Sequence, residues 1–235
     1  KEIKIERAST SPFLQGREIK PYRVLPSGKV VIIPYKHENG NTSFIDENEF
    51  KSQFPKTHKY LVENKEYLSE REHGRMRGDN WYGYIYPKNI DVMKSKKILV
   101  PDIADHASFA LDENGEYAFT SGYGIILKND VAESVKYILG LLNSKVLDFY
   151  LKSISTTMRG GFFRYFTQYI EQLPIRLIDF SNTHEKELHD RLVSLVNNML
   201  ELHKRAAVAK SSQDGEVIQR QIDATDAEID ALVYE

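Results

Sequence analysis

Two sets of residues near the C-terminal end repeat at one spacing: Leu188, Leu192, Leu195, Met199 and Leu202, then Ile218, Ile222, Thr225, Ile229 and Leu232. Steps of four, three, four and three put each set on one face of a helix, and such a face has to be covered. An antiparallel helical hairpin is therefore expected over 181–235. Asn182 and Glu185 form a capping box at its start, and residues 211–215 supply the turn. Each stripe lasts under three heptads, so it covers either the core of its own fold or a partner that docks there.

Ahead of the hairpin the pattern is different. Up to about residue 128, short apolar runs such as 30–35 and 98–101 alternate with Gly, Asn and Pro signals, which reads as a β-rich body. A hairpin is expected across Asn114-Gly115, with 122–127 following as a further strand. One helix interrupts at 55–71, where Tyr60, Leu61, Tyr67 and Leu68 fall at helical spacing behind a proline. From Val131 the period becomes helical: Val135, Ile138, Leu142, Val146, Phe149 and Tyr150 share one face, with a bend at Gly140 or Asn143. The expected class is α+β: a β-rich domain with inserted helices over 1–180, then the helical hairpin over 181–235.

Charge is uneven along the chain. The net charge of −2 combines 26 Lys/Arg against 23 Asp/Glu over 1–180 with six against eleven over 181–235. Between Lys152 and Glu171 the only ionised side chains are Arg159 and Arg164, set among Ser155, Thr156, Thr157, Gly160, Gly161 and aromatics. A polyanion meets positive charge and hydrogen-bond donors there without carboxylates repelling it. The competing reading is an ordinary loop before a buried aromatic strand; with either reading Phe162, Phe163 and Phe166 are expected as strand core.

Other chemistry finds little support. The chain has no cysteine, which removes disulfides, thiolate metal sites and a cysteine nucleophile and fits the cytoplasm. No apolar run has the length of a membrane span. Lys1-Glu2-Ile3-Lys4 lacks an initiator Met, and the last residues still read as helix, so a piece of a longer chain is expected. A P-loop, a dinucleotide-binding glycine pattern, His-Glu-x-x-His and Gly-x-Ser-x-Gly are absent from the sequence. His184 and His189, five apart, point to different sides of a helix and are expected on the surface. Pro101-Asp102 suggests a metal nuclease, but the Glu-x-Lys that such a site needs occurs only at 63–65, in the expected helix.

Three segments together resemble a known family: Gly16-Arg17-Glu18-Ile19-Lys20-Pro21-Tyr22, Lys97-Ile98-Leu99-Val100-Pro101-Asp102-Ile103-Ala104, and Leu142-Asn143-Ser144-Lys145 through Gln172-Leu173-Pro174-Ile175. The chain resembles the TaqI-like C-terminal specificity domain, the target recognition part of adenine-N6 DNA methyltransferases and fused type IIG restriction-modification enzymes. The resemblance implies sequence-specific binding of double-stranded DNA. It also implies an N-terminal methyltransferase module of the same polypeptide, which holds S-adenosylmethionine and flips the target base; its Phe-x-Gly-x-Gly-like loop and Asn-Pro-Pro-Tyr motif are not in this sequence. The C-terminal helices resemble the spacer helices that hold a recognition domain against its catalytic partner. No cofactor and no catalytic residue are expected in this piece. The alternative is a protein-interaction module that docks through the helical hairpin without touching DNA.

Hydroxyls and guanidiniums reach both phosphates and base-edge acceptors, so the leading DNA-facing candidates are Arg159, Arg164, Ser155, Thr156, Thr157 and Gly160. Arg71, Arg75, Arg77 and Trp81 follow, in a segment from Lys56 to Ile98 with ten basic and six acidic residues. Arg17 and Lys20, in the first family segment, complete the set.

Overall fold

The computed structural model describes residues 2–38 and 41–235. Two compact units are built from interleaved segments, one from Lys1–Phe13, Gly28–Ser95 and Asn114–Ala118, the other from Leu14–Ser27, Lys96–Glu113 and Phe119–Glu235. Each has its own hydrophobic cluster, and helices mix with short strands as the α+β class requires. Position 180, where the sequence pattern changes, lies inside the larger unit.

In the smaller unit, Thr10, Ser11 and Pro12 pair antiparallel with Ile32, Val31 and Val30, and Tyr35–Glu38 pairs with Asn41–Phe44. Helix begins earlier than the periodicity at 55–71 suggests. Glu47–Gln53 is already helical because the Asp46 carboxylate accepts from Asn48 N and Glu49 N, an Asp-x-x-Glu start signal legible in the sequence. Pro55–Glu63 and Lys65–Ser69 follow as separate helices. Ile45, Phe50, Leu61, Trp81 and Tyr82 form the core, and Trp81 is only 1% exposed.

The larger unit has a three-stranded antiparallel sheet in the order Gly122–Ile125, Lys97–Pro101, Ala110–Asp112. This corrects the hairpin expected across Asn114-Gly115: Ala110–Asp112 pairs back onto Lys97–Pro101, and the strand after the turn leaves this sheet. The buried ion pair of Lys97 and Asp112, at 2.6 Å, locks that register, since leaving either charge unpaired inside would be costly.

The helix expected from Val131 is two helices, Val135–Asn143 and Lys145–Ile154, broken at Ser144, whose backbone is extended (φ −66°, ψ 150°). Ser144 Oγ donates to Leu141 O and accepts from Leu147 N, closing one helix and capping the next. The break also turns the buried face. Leu147 and Leu151 point inward, while Phe149 and Tyr150, expected on the apolar side, are exposed, Phe149 by 77%.

Thr183–Val208 and Ser212–Tyr234 form the expected helical hairpin and share one core with Val135–Asn143. Gly140 sits at this contact: a Cβ there would come within 2.9 Å of Val196 and 3.0 Å of Leu192. The second stripe is buried as spaced; along the first, His189, Leu192, Val196, Met199 and Leu202 are buried, with Leu188 and Leu195 at the margin. The turn is shorter than expected, because Ser211 caps the second helix by accepting from Asp214 N. Asn182 caps the first, but Glu185 accepts from Asp179 N and pairs with Arg176 instead of completing a capping box. His189 is buried, not on the surface. Its Nε2 accepts from Ser134 N, which leaves the ring proton on Nδ1 facing Asp190.

Candidate nucleic-acid interface

Two of the three segments that carry the family resemblance, the first and the last, meet at Phe109. Its carbonyl accepts from Tyr22 N and Asn143 Nδ2, and its amide donates to Asn143 Oδ1. Its ring meets Tyr165 edge-on at 6.1 Å. Gly16 is held where a Cβ would lie 2.2 Å from Ser121 O, and Glu18 accepts from Gln15 N. Lys145 pairs with Asp230 at 2.6 Å, which raises its pKa, and so ties the Leu-Asn-Ser-Lys turn to the last helix. These residues build the scaffold.

The scaffold positions the carboxylate-free stretch through Asp148 and Tyr165. Asp148 Oδ1 accepts from Ala107 N and, at 2.7 Å, from Tyr165 Oη, while Oδ2 pairs with Lys152. Tyr165 is fully buried, and burial, then the bond to Asp148, push its phenol far above the usual range. Its amide donates to Asp102 O.

From this anchor Thr157–Met158 and Phe162–Arg164 form an antiparallel hairpin around Arg159, Gly160 and Gly161, with Ile103–Ala104 as a third strand. Gly160 and Gly161 have φ of +84° and +80°, a conformation other residues take only under strain. Arg159 is exposed and has no hydrogen-bond or ion-pair partner among the described residues. Arg164 is half-buried with its guanidinium 4.8 Å from the Phe166 ring. Ser155 Oγ donates to Arg164 O and accepts from Arg164 N, so it pins the hairpin's base. Thr156 and Thr157 are exposed, and Thr156 Oγ1 lies 2.7 Å from Tyr169 Oη. Tyr169 escaped the sequence reading. The bond with Thr156, foremost, lowers its phenol pKa.

The aromatic core expected at Phe162, Phe163 and Phe166 is corrected. Phe162 is 41% exposed, and Phe163 and Phe166 are half-buried, the first beneath the Lys152 ammonium at 5.5 Å. The strand lasts only three residues, and the chain turns inward at Tyr165, which takes the core position.

The remaining candidates separate by environment. Arg71 donates to the carbonyls of Leu68, Trp81 and Gly83, and Trp81 Nε1 donates to Glu47, so both hold the smaller unit together. Arg77 is bidentate to Glu70 at 2.8 and 2.6 Å. Arg75 is exposed, stacked 5.1 Å from the Tyr86 ring. Exposed Arg17 has no hydrogen-bond or ion-pair partner among the described residues, and half-buried Lys20 acts electrostatically on Asp105. Among those residues no cluster of three His, Asp or Glu could hold a metal, and Asp102 contributes its backbone to the strand network. No helix among them is long and apolar enough to cross a membrane. A groove of about 540 Å³ opens between Val146, Phe149, Ala227, Val233 and Tyr234.

The basic, carboxylate-free hairpin is thus braced on an α+β scaffold, with a long helical hairpin in the same unit. The chain belongs to the family of TaqI-like C-terminal specificity domains, which it matches over residues 11–175. It is 26% identical, over 99% of its length, to the Type II restriction enzyme and methyltransferase RM.Eco57I of Escherichia coli, covering 24% of that protein. It is also 26% identical, over 82% of its length, to the Type II methyltransferase M.BstVI of Geobacillus stearothermophilus, covering 33% of it. To the Type II methyltransferase M.BanIII of Aneurinibacillus aneurinilyticus it is 30% identical over 61% of its length, covering 25%. The chain thus spans 24–33% of the length of these relatives.

Proposed function

We propose that this chain selects the target sequence in double-stranded DNA for a larger adenine-N6 DNA methyltransferase, with the Thr157–Arg164 hairpin as its main contact. The observation that carries this reading is the exposed, unpaired Arg159 on a glycine turn, within a stretch of eighteen residues (153–170) free of carboxylates. Guanidinium, hydroxyls and bare backbone suit phosphates and base edges alike. Arg164, Thr156 and Thr157 act with Arg159, and Ser155 and Gly160 shape the hairpin. Arg75, Arg17 and Lys20 are secondary contacts; Arg71, Arg77 and Trp81 support the smaller unit, which carries Arg75. S-adenosylmethionine and the flipped adenine belong to an N-terminal module of the same polypeptide, in the cytoplasm, and a fused cleavage activity, as in the name of the Escherichia coli relative, is compatible with this role.

The test is Arg159→Ala in the full-length protein. DNA affinity is expected to fall about tenfold, the scale of one good guanidinium contact, with S-adenosylmethionine affinity unchanged by calorimetry. Unaltered DNA affinity and site preference would remove the hairpin from the interface. A second reading, docking through the helical hairpin without DNA contact, has the exposed apolar groove at Phe149 and Tyr234 in its favour. It predicts binding to the remainder of the polypeptide and none to duplex DNA.

A further inference from the structure

Phe162 stands at the end of the recognition hairpin. It faces Met158 across the two strands, and the pair flanks the Arg159-Gly160-Gly161 turn. Its ring lies along that turn, because a Cβ on Gly160 would be 3.4 and 3.5 Å from its Cδ2 and Cε2. A Cβ on Gly161 would meet nothing within 4 Å. The ring is thus bordered by bare backbone, and the residue remains 41% exposed.

What surrounds the ring selects its partner. Guanidiniums at 159 and 164, on a hairpin that carries no carboxylate from 153 to 170, put this apolar group beside cations, with Asp102 and Asp105 at the two ends of the adjoining strand Ile103–Ala104. A base stack offers apolar faces inside a frame of phosphates, and an apolar side chain that enters it unstacks one step while neighbouring cations hold the backbone. We propose that Phe162, backed by Met158, is a wedge that inserts between adjacent base pairs of the bound duplex while Arg159 holds a flanking phosphate. The inference rests on the DNA-recognition reading above. It adds that part of the specificity comes from DNA deformability, because pyrimidine–purine steps open most readily.

The experiment selects duplexes from a random-sequence pool with the wild-type chain, Phe162→Ala and Phe162→Leu. 2-Aminopurine is then placed at the most enriched step. Wild type should enrich a pyrimidine–purine step and raise the 2-aminopurine fluorescence on binding. Phe162→Ala should bind about tenfold more weakly, the scale of one lost base–aromatic contact, without the fluorescence rise, and Phe162→Leu should keep most of both. Wild-type binding without a fluorescence rise, or Phe162→Ala indistinguishable from wild type, overturns the wedge and leaves DNA recognition standing. No binding by wild type at low salt overturns the recognition reading and the wedge with it. Thermal melting checks that the variants fold, and should Phe162→Ala unfold, the wild-type and Phe162→Leu fluorescence decide the matter.

Discussion

At the scale of single residues, side chains of one type and exposure differ in what their polar atoms touch. Arg159 and Arg77 are both exposed arginines, yet Arg77 is neutralised by Glu70 and Arg159 is not. The sequence distinguishes them only in part, since the carboxylate-free window around Arg159 is visible in it, whereas the Arg77–Glu70 pair depends on a chain turn between them. Tyr165 was hidden for a related reason. Four aromatics lie within five positions, and which one turns inward depends on Asp148, seventeen residues earlier, accepting its hydroxyl proton. Tyr165→Phe removes that donor and leaves Asp148 Oδ1 with Ala107 N alone, which should destabilise the chain by about 1–2 kcal/mol. The shift is read from the midpoint of urea unfolding, and an unchanged midpoint would show that the bond anchors nothing.

Among the elements, helices were more legible than strands. The stripes at 188–202 and 218–232 fix two helices because the spacing repeats over several turns. Ala110–Asp112 does not pair across its Asn-Gly turn because the strand after the turn, Ala118–Thr120, joins another sheet, a long-range pairing that local turn chemistry does not show. The break at Ser144 was missed for a similar reason: apolar spacing continues through it, and only the extended backbone of Ser144 shows that the face rotates. Gly140 marks the close approach of Val135–Asn143 and Thr183–Val208. Gly140→Ala should cost about 1–3 kcal/mol, the range for overpacking a filled contact, and lower the melting temperature by calorimetry; an equal or higher melting temperature would mean that the helices separate freely. Glu6 supports the start of Pro55–Glu63. Desolvation works against its ionisation, but the hydrogen bonds from Thr57 and Lys56 win and hold its carboxyl at about 2, below the usual 4.5. A depressed carboxyl stabilises the fold above pH 4.5 and loses that contribution as pH falls through about 2. Glu6→Gln should therefore flatten the acid limb of the stability profile, measured by denaturant titration at a series of pH values.

At the scale of the whole molecule, the class and the helical hairpin could be read from periodicity, and the family from motifs spread along the chain. The two compact units could not, since residues 14–27 and 96–113 join the larger unit across intervening sequence. The same interleaving explains why the Gly-Arg-Glu-Ile and Leu-Asn-Ser-Lys segments, distant in sequence, meet at Phe109 and brace a hairpin that neither contains. On the proposed function this hairpin meets a polyanion. The direct measurement is fluorescence anisotropy of the chain with a labelled duplex over a salt series, for wild type and Arg159→Ala. Binding at low salt should weaken steeply, with a slope of log affinity against log salt of about −2 or steeper for wild type and shallower by about 1 for Arg159→Ala. No binding at about 50 mM salt, where phosphate contacts are strong, or a slope that Arg159→Ala leaves unchanged, would contradict it.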